Sequence, residues 1–326
     1  MICMYDILSI GGTALDVFLQ LHEASVNCRL DTDICQLCMN YADKIPVEKI
    51  TNVAGVGSAP NTAVGSARLG LQAALYTVIG NDSAGKDSLA VFKKEKVVTK
   101  YVVVDKKNRT DHSTIISFQG ERTLLTFQAP RIFRLPKDIK TKWIFLGALP
   151  NGHKILHEQL IKMVKKQGVK LVFNPGAHEL REGIEHLKSI LAVLEVLIIN
   201  KEEAWRLLGG KDEDIKLLLI KLKNFGPKIV VITDGKNGAV SFDDQNFYHQ
   251  SIYNLPVVEK TGAGDAFATG FIAALFYNLD IKEALQWGNA NSANVIQHIG
   301  AQVGLLDKIK MKNFLARYRD IKPQLI

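Results

Sequence analysis

Long apolar runs are missing from this chain. No stretch reaches the ~18 residues that a membrane-spanning helix needs, and the best candidate, Ile190 to Ile199, is short and carries Glu195. The N-terminus lacks a basic region, and Asp6 and Asp16 interrupt its apolar residues, so no secretory leader is expected. Cysteine is scarce. Cys3, Cys28, Cys35 and Cys38 are too few for a disulfide scaffold in 326 residues, which makes the cytoplasm the expected location. Internal repeats and low-complexity linkers are absent. So is any recognised nucleic-acid module or basic stripe interleaved with aromatics. Neither a membrane nor a nucleic acid is therefore an expected partner.

What is present reads as globular: 47% of residues are apolar and 23% charged. The length allows one large α/β domain or two average ones. Basic residues number 41 against 33 acidic ones, a formal charge of +8. That excess suits an acidic ligand such as a nucleotide, but Lys-rich solvated faces produce the same number.

Strand and helix alternate along most of the chain. Strands are expected at Asp6–Ile10, Ala73–Ile79, Trp143–Leu146, Val169–Phe173, Val196–Ile199 and Ile229–Thr233, with helical sequence between several of them. The pattern predicts a mostly parallel sheet covered by helices. Two β-rich stretches, about 17–53 and 100–127, break the rhythm by alternating polar with apolar residues. They include Tyr101–Val104 and Ser113–Phe118. Together they are expected to form one small antiparallel sheet, a lid added to a single α/β domain spanning 1–326.

The segment Val257–Leu275 reads VVEKTGAGDAFATGFIAAL. Small residues at Gly262, Ala263 and Gly264 let the backbone turn sharply and aim successive N–H groups into one concavity, and the following helix adds partial positive charge there. Such a place binds an oxyanion or phosphate. Asp265 would repel a static phosphate, but it suits a base that takes a proton from an attacking hydroxyl. The bland reading makes Asp265 a helix cap.

Four other segments carry partial motifs. Gly80 to Asp87 approaches a phosphate loop, but Asp87 stands where a Ser or Thr should meet Mg²⁺; the plainer reading is a strand-to-helix turn. Gly55 to Asn61 fails a dinucleotide fingerprint at Pro60 and precedes a helix expected from about Thr62. Asn200 and Glu203 open a helix after an apolar strand, and fit either a capping box or a hydrated Mg²⁺. Thr233 to Gly238 is a hairpin turn or a glycine-lined nucleotide wall.

Taken together, these segments resemble the PfkB/ribokinase family of sugar and nucleoside kinases, from about Asp6 to Gly304. Thr261-Gly262-Ala263-Gly264-Asp265-Ala266-Phe267 with Gly270 matches its C-terminal signature. Gly57-Ser58-Ala59-Pro60-Asn61, continuing to Gly70, is similar to its N-terminal one. Gly80, Asp82 and Gly85 match its GxDxxG, Asn200 and Glu203 its NxxE, and Thr233, Gly235 and Gly238 its TxGxxG. The resemblance implies a ribokinase-like α/β fold with a β-sheet lid, and an ATP-dependent kinase acting on a hydroxyl of a small sugar or sugar derivative. It makes Asp265 the general base, and gives Gly262, Ala263 and Gly264 the role of anion hole. Asn200, Thr233, Gly235, Gly238 and Asn289 would bind ATP. Glu203, with Asn200, would hold Mg²⁺ through water. Asp16, Gly57 and Asn61 would bind the acceptor. A homodimer through the lid is also implied.

The chain departs from the family pattern at Glu259 and Lys260, where Asp and Thr are common. In ribokinase-like members that Asp helps hold a monovalent cation, so K⁺ activation is expected to be weak or absent. Val56 replaces a glycine. Ribokinase proper has Lys where Ser58 stands, and a Glu near Gly147-Ala148-Leu149-Pro150. Ribose is thereby disfavoured. A nucleoside is the alternative acceptor, with Phe18, Tyr41, Phe118 or Phe127 stacking on its base. Arg109 and Arg122 leave a phosphosugar as a further option, and a non-catalytic ligand-binding homologue is the last. Cys28, Cys35 and Cys38 also admit a zinc or redox reading.

Overall fold

The computed structural model describes residues 4–29, 34–119, 121–149, 153–210 and 213–326. Cys3 and Pro150 lie outside them. The chain begins with β1 (Tyr5–Ile10), β2 (Ala14–Leu21), β3 (Ser25–Arg29), β4 (Ile34–Cys38), β5 (Val47–Val56), α1 (Ser58–Arg68), β6 (Ala73–Gly80) and α2 (Ser83–Lys94). It continues with β7 (Val98–Asp105), β8 (Asp111–Phe118), β9 (Glu121–Phe127), β10 (Thr141–Leu146), α3 (Lys154–Gln167), β11 (Lys170–Phe173), α4 (Ala177–Glu182) and α5 (Ile184–Leu191). Then come β12 (Val196–Asn200), α6 (Lys201–Leu208), α7 (Ile215–Lys223), β13 (Ile229–Thr233), β14 (Ala239–Phe242) and β15 (Phe247–Gln250). The last elements are α8 (Ala263–Phe276), α9 (Ile281–Val295), α10 (Lys308–Arg317) and β16 (Gln324–Leu325).

Ten strands form the main sheet, in the order β16-β15-β14-β13-β12-β11-β10-β1-β6-β7. Pairing is parallel from β13 through β12, β11, β10, β1 and β6 to β7, and antiparallel at the β14–β16 edge. The central strands are continuous apolar runs buried on both faces, as sheets covered by helices on either side require. All eight residues of β6 are buried, and so are the first four of β12. Helix ends carry the expected caps: Asp82 accepts from the Gly85 N–H at 2.9 Å, and Gly168 and Gly209 close α3 and α6 in the left-handed conformation.

One helix lies deep inside. α8 is Ala-, Gly- and Phe-rich because it packs between α1 and α9. At Gly270 a Cβ would sit 2.3 Å from the Trp287 carbonyl oxygen, so only glycine allows α8 and α9 to approach this closely. The deeply buried α8 is thus a rigid support for whatever its N-terminus holds.

A second sheet of four strands stands apart, in the order β5-β2-β8-β9. β2 pairs antiparallel with β5 but parallel with β8, so the sheet is mixed rather than fully antiparallel. The run Tyr101–Val104 does not belong to it, contrary to the sequence expectation. That run lies in β7, the parallel edge strand of the main sheet beside β6. Val103 and Val104 are 46% and 43% exposed, and the half-covered edge gave β7 the alternation of a lid strand.

A separate hairpin, β3–β4, is bridged by a disulfide between the directly opposed Cys28 and Cys35. The zinc reading therefore loses two of its three sulfurs, and the bond joins neither cysteine of the pair to Cys38, which is free. No helix of the described residues is long and apolar enough to cross a membrane.

Candidate active site

The candidate motifs meet at the C-terminal ends of the parallel strands, where open α/β sheets gather ligands. Asn200 ends β12 and pairs in register with Thr233, which ends β13. Gly11 follows β1, and Gly147 follows β10. Across from them stands the first turn of α8.

Gly262 adopts φ +79°, and a Cβ there would come within 2.3 Å of the Ala301 Cβ. Only glycine makes this turn. Gly264 differs: a Cβ would meet no protein atom within 4 Å, because the residue faces open space. The Ala263 N–H donates to the Lys260 carbonyl at 3.3 Å, and that of Ala266 to Gly262 at 2.9 Å. Among the described residues, the N–H groups of Gly264 and Asp265 have no acceptor. They are the unsatisfied donors of a helix N-terminus.

Asp265 lies in that first turn, half-buried. Its Oδ2 accepts from the Asn61 side-chain amide at 2.7 Å. The Asn61 carbonyl oxygen accepts in turn from Gln302 Nε2 at 3.0 Å, which fixes the amide's orientation, and Gln302 also donates to the Gly55 carbonyl at 2.8 Å. Asn61 is only 3% exposed. Its side chain grips Asp265, although sequence reasoning aimed it at an acceptor. Helix α1 also starts earlier than expected, at Ser58 rather than Thr62: Pro60 sits in its first turn, where proline is tolerated. Gly57 caps the helix at φ +132°, and a Cβ there would lie 2.6 Å from the Gly12 carbonyl oxygen.

Three carboxyl groups feel one another here. Burial pushes Asp265 up to about 6; the Asn61 hydrogen bond opposes this, while repulsion from Glu203 and Asp16 adds to it. Asp16, on β2, is also raised to about 6, chiefly by burial. A hydrogen bond from Ser113 and the charge of Arg122 oppose that rise, and Glu259 adds to it. Burial raises Glu203 as well. Glu203 and Asn200 form a reciprocal cap: the Asn200 Oδ1 accepts from the Glu203 N–H at 2.8 Å, and Glu203 Oε2 from the Asn200 N–H at 3.0 Å.

Beside this turn opens a cavity of ≈ 500 Å³. Thr233, Gly235 and Gly238 line it with Ala263, Gly264 and Asn289. Gly238 has φ +87°, and a Cβ there would lie 2.0 Å from the Gln250 carbonyl oxygen. The Asn289 amide donates to the carbonyls of Gln250 and Ser251, both at 3.1 Å, and so fixes the wall from behind.

The lid closes on the site through Arg122. This β9 side chain bonds both the Glu259 carboxylate and the Thr261 hydroxyl. Arg109, by contrast, is a solvated side chain 4.0 Å from Asp82. The aromatics also separate. Phe18 and Phe118 line a lid-side cavity, whereas Tyr41 is 99% and Phe127 53% exposed. The false phosphate loop is a brace at the lid's base: Asp82 accepts from the Thr110 N–H at 2.9 Å and its hydroxyl at 2.7 Å, just before β8.

Other contacts escaped the sequence reading. Ser58 Oγ accepts from the Ala148 N–H at 2.9 Å, and the buried Glu179 accepts from the N–H groups of Leu149 and Gly176. A carboxylate thus does reach the Gly147–Leu149 loop, but from α4. Gln302 had no local motif to reveal it; its partner Asn61 is 241 residues away.

The family model for pfkB family carbohydrate kinases matches residues 23–308. The chain is 27% identical to the ATP-dependent 6-phosphofructokinase of Thermoanaerobacterium thermosaccharolyticum, across 97% of this chain and 96% of that protein. It is 24% identical to the nucleoside kinase of Methanothermobacter thermautotrophicus, across 96% of each. The structure of Arabidopsis thaliana ribokinase complexed with ribose and ATP superposes with a TM-score of 0.78 at 20% identity, over 96% of this chain and 99% of that one. The fold is ribokinase-like.

Proposed function

The chain belongs to the pfkB family of carbohydrate kinases, and from that premise we propose that it transfers the γ-phosphate of ATP to a hydroxyl of a small sugar or sugar derivative. The observation that carries this reading is Asp265 itself. It is held by Asn61 and raised to about 6, in the same helical turn whose Gly264 and Asp265 N–H groups lack acceptors among the described residues. Asp265 takes the proton of the acceptor hydroxyl as that oxygen bonds to the γ-phosphorus. The bond from phosphorus to the β-phosphate oxygen breaks, and ADP leaves. Gly262, Ala263 and Gly264 wrap the transferring group, so that its equatorial oxygens face backbone N–H and the positive end of α8.

ATP lies in the cavity lined by Thr233, Gly235, Gly238 and Asn289. Mg²⁺ fits the donor set at β12, since the Glu203 carboxylate and the Asn200 amide supply hard oxygens close enough for Glu203 to repel Asp265. Glu203 with Asn200 would hold it through water, and it would neutralise phosphate charge. Asp16 and the backbone at Gly57 orient the acceptor, and Asn61 positions the base. The lid excludes water from the reaction. A homodimer through the lid and a cytoplasmic location complete the reading; Ile50, Leu125 and Phe127, each more than half exposed on the sheet, support the dimer.

A nucleoside acceptor is the second reading, and Phe18 and Phe118 in the lid-side cavity favour it. The deciding experiment is an ADP-release screen over pentoses, hexoses, keto-deoxy acids, phosphosugars and nucleosides, run beside Asp265→Asn. Turnover with one acceptor class, abolished in the variant with ATP binding retained, is expected. Full activity in Asp265→Asn removes the base assignment. A flat response to every acceptor favours a non-catalytic ligand-binding homologue.

A further inference from the structure

A second cavity, of ≈ 380 Å³, lies between the lid and the segment before α8. Side chains alternate along a strand, so Asp16, Phe18 and Gln20 share one face of β2. Phe18 and Gln20 line this cavity, with Lys49 and Thr51 opposite them on β5. Gln20 stands about 13 Å beyond Asp16, at ~3.3 Å per residue. The cavity therefore extends the acceptor side of the proposed site away from Asp265.

Its charged groups are Lys49, Arg122, Lys260, Glu121 and Glu259. They are not evenly matched. Lys260 and Glu121 are 3.6 Å apart with 62% and 82% of their side chains exposed, a loose and screened pair. Among the described residues Lys49 has no ion pair; the neighbouring Glu48 is turned to Gln20 and His22. Arg122 uses only Nη1 for both Glu259 and Thr261, so its Nε and Nη2 edge has no partner among the described residues. A neutral sugar gains little from three cations at this distance from its reacting hydroxyl. A phosphate or carboxylate gains charge-assisted hydrogen bonds from each.

We propose that the acceptor carries an anionic group, phosphate or carboxylate, at the end remote from the attacking hydroxyl, and that Lys49, Arg122 and Lys260 hold it. The inference rests on the kinase reading above. Lys49 and Arg122 come from the lid, and Lys260 from the segment leading into α8. An anion between them ties the lid to the core, so binding at the remote end drives closure over the reacting one.

The test is initial-rate ADP release with fructose, fructose 6-phosphate, 2-keto-3-deoxygluconate and adenosine, on wild type and Lys49→Ala. One charged acceptor should exceed both neutral ones by about 100-fold in kcat/KM, and the better of the two identifies phosphate or carboxylate. Lys49→Ala should lower that advantage about 10-fold through KM. A neutral acceptor with the highest kcat/KM overturns the proposal and leaves the kinase reading standing. Equal losses for charged and neutral acceptors in Lys49→Ala overturn it too. If nothing releases ADP here or in the wider screen, the kinase reading fails. Calorimetric titration with fructose 6-phosphate and with 2-keto-3-deoxygluconate then decides: binding of either that weakens in Lys49→Ala supports the anion site, and no heat from either in wild type ends it.

Discussion

The two cavities that flank the first turn of α8 are built differently. The one by β13 sets glycine backbone among apolar side chains: Gly235, Gly238, Gly264 and Ala263 present peptide groups beside Tyr253, Leu255, Phe267 and Ile296, and Asn289 braces the wall. The one under the lid is lined by charged side chains, with Lys49 and Arg122 beside Gln20 and Phe18, while Lys260 lines both cavities. Backbone cannot change chemistry without changing the fold, whereas side chains on a separate sheet can be replaced freely. A scaffold that keeps one substrate and varies the other would place them this way round. The proposed functions follow that division, with ATP on the backbone side and the acceptor on the side-chain side.

Asp265 stands between the two halves, and its loss should be the largest effect. Asp265→Asn keeps the shape and removes the proposed base, so kcat should fall about 10²–10⁴-fold while ATP still binds. Stability should move the other way. The carboxyl ionises at about 6 when folded, against an ordinary 3.8. Its raised value contributes stability that is complete below about pH 4 and lost as pH rises through about 6. Asp265→Asn should therefore melt several degrees above wild type at pH 8, with the gap closing below pH 4. A lower melting temperature at pH 8 would show that the buried charge is compensated.

The backbone side can be broken on its own. Gly238→Ala puts a Cβ 2.0 Å from the Gln250 carbonyl oxygen and a side chain at φ +87°. The strain should cost about 1–3 kcal/mol in denaturant melts. Because Gly238 lines the cavity, KM for ATP should rise about 10-fold or more, while KM for the acceptor changes little. A variant in which both KM values rise together would mean that the two cavities are not separable.

The same division decides what the sequence could reveal. The strands and helices around β6, β10–β13 and α8 were legible because buried parallel strands are continuous apolar runs, their covering helices are amphipathic, and the deeply buried α8 is an unbroken run of small and apolar residues. The lid was legible as an interruption, but its membership was not. Val98–Asp105, half-covered at the sheet edge, alternates like a lid strand. The turn at Gly262–Asp265 could be read because backbone chemistry is local: three small residues and a carboxylate suffice. Gln302 could not, and Arg122 was found as a lid arginine but not in its contact with Glu259. They reach their partners across 241 and 137 residues, and only the tertiary fold brings them there. Asn61 was found as a residue but not in its contact, since a helix beginning at Ser58 turns its side chain toward α8.

Asn61 offers a finer cut through the same turn. Its amide favours the ionised carboxylate, so removing it raises Asp265 further. Wild-type kcat/KM should fall as pH drops through about 6. In Asn61→Ala that acid limb should move to higher pH by about one unit, with a loss at pH 7 of about two-fold that grows to about 10-fold at low pH. The limb belongs to Asp265, Asp16 and Glu203 together, since they repel one another. A shift on deleting a group that touches only one of them identifies that one. An unchanged limb with a lower plateau would make Asn61 merely structural.

The smallest expected effect concerns the seam between the two cavities. Glu259 Oε1 accepts from the Thr261 N–H at 2.8 Å, from its hydroxyl at 2.5 Å, and from Arg122. A guanidinium fixed on the lid thus supplies the positive charge beside the turn that leads into α8. A mobile cation competing there would have to displace a charge already tethered and hydrogen-bonded. Initial rates in K⁺ and in tetramethylammonium at equal ionic strength should therefore agree within about two-fold, because the Glu259 charge is already matched by Arg122 even though its Oε2 has no partner among the described residues. Arg122→Ala frees the carboxylate, and the same comparison should then show K⁺ stimulation. Many-fold stimulation of the wild type would mean that Arg122 leaves Glu259 when substrates bind, which would make the contact a gate instead of a fixed charge.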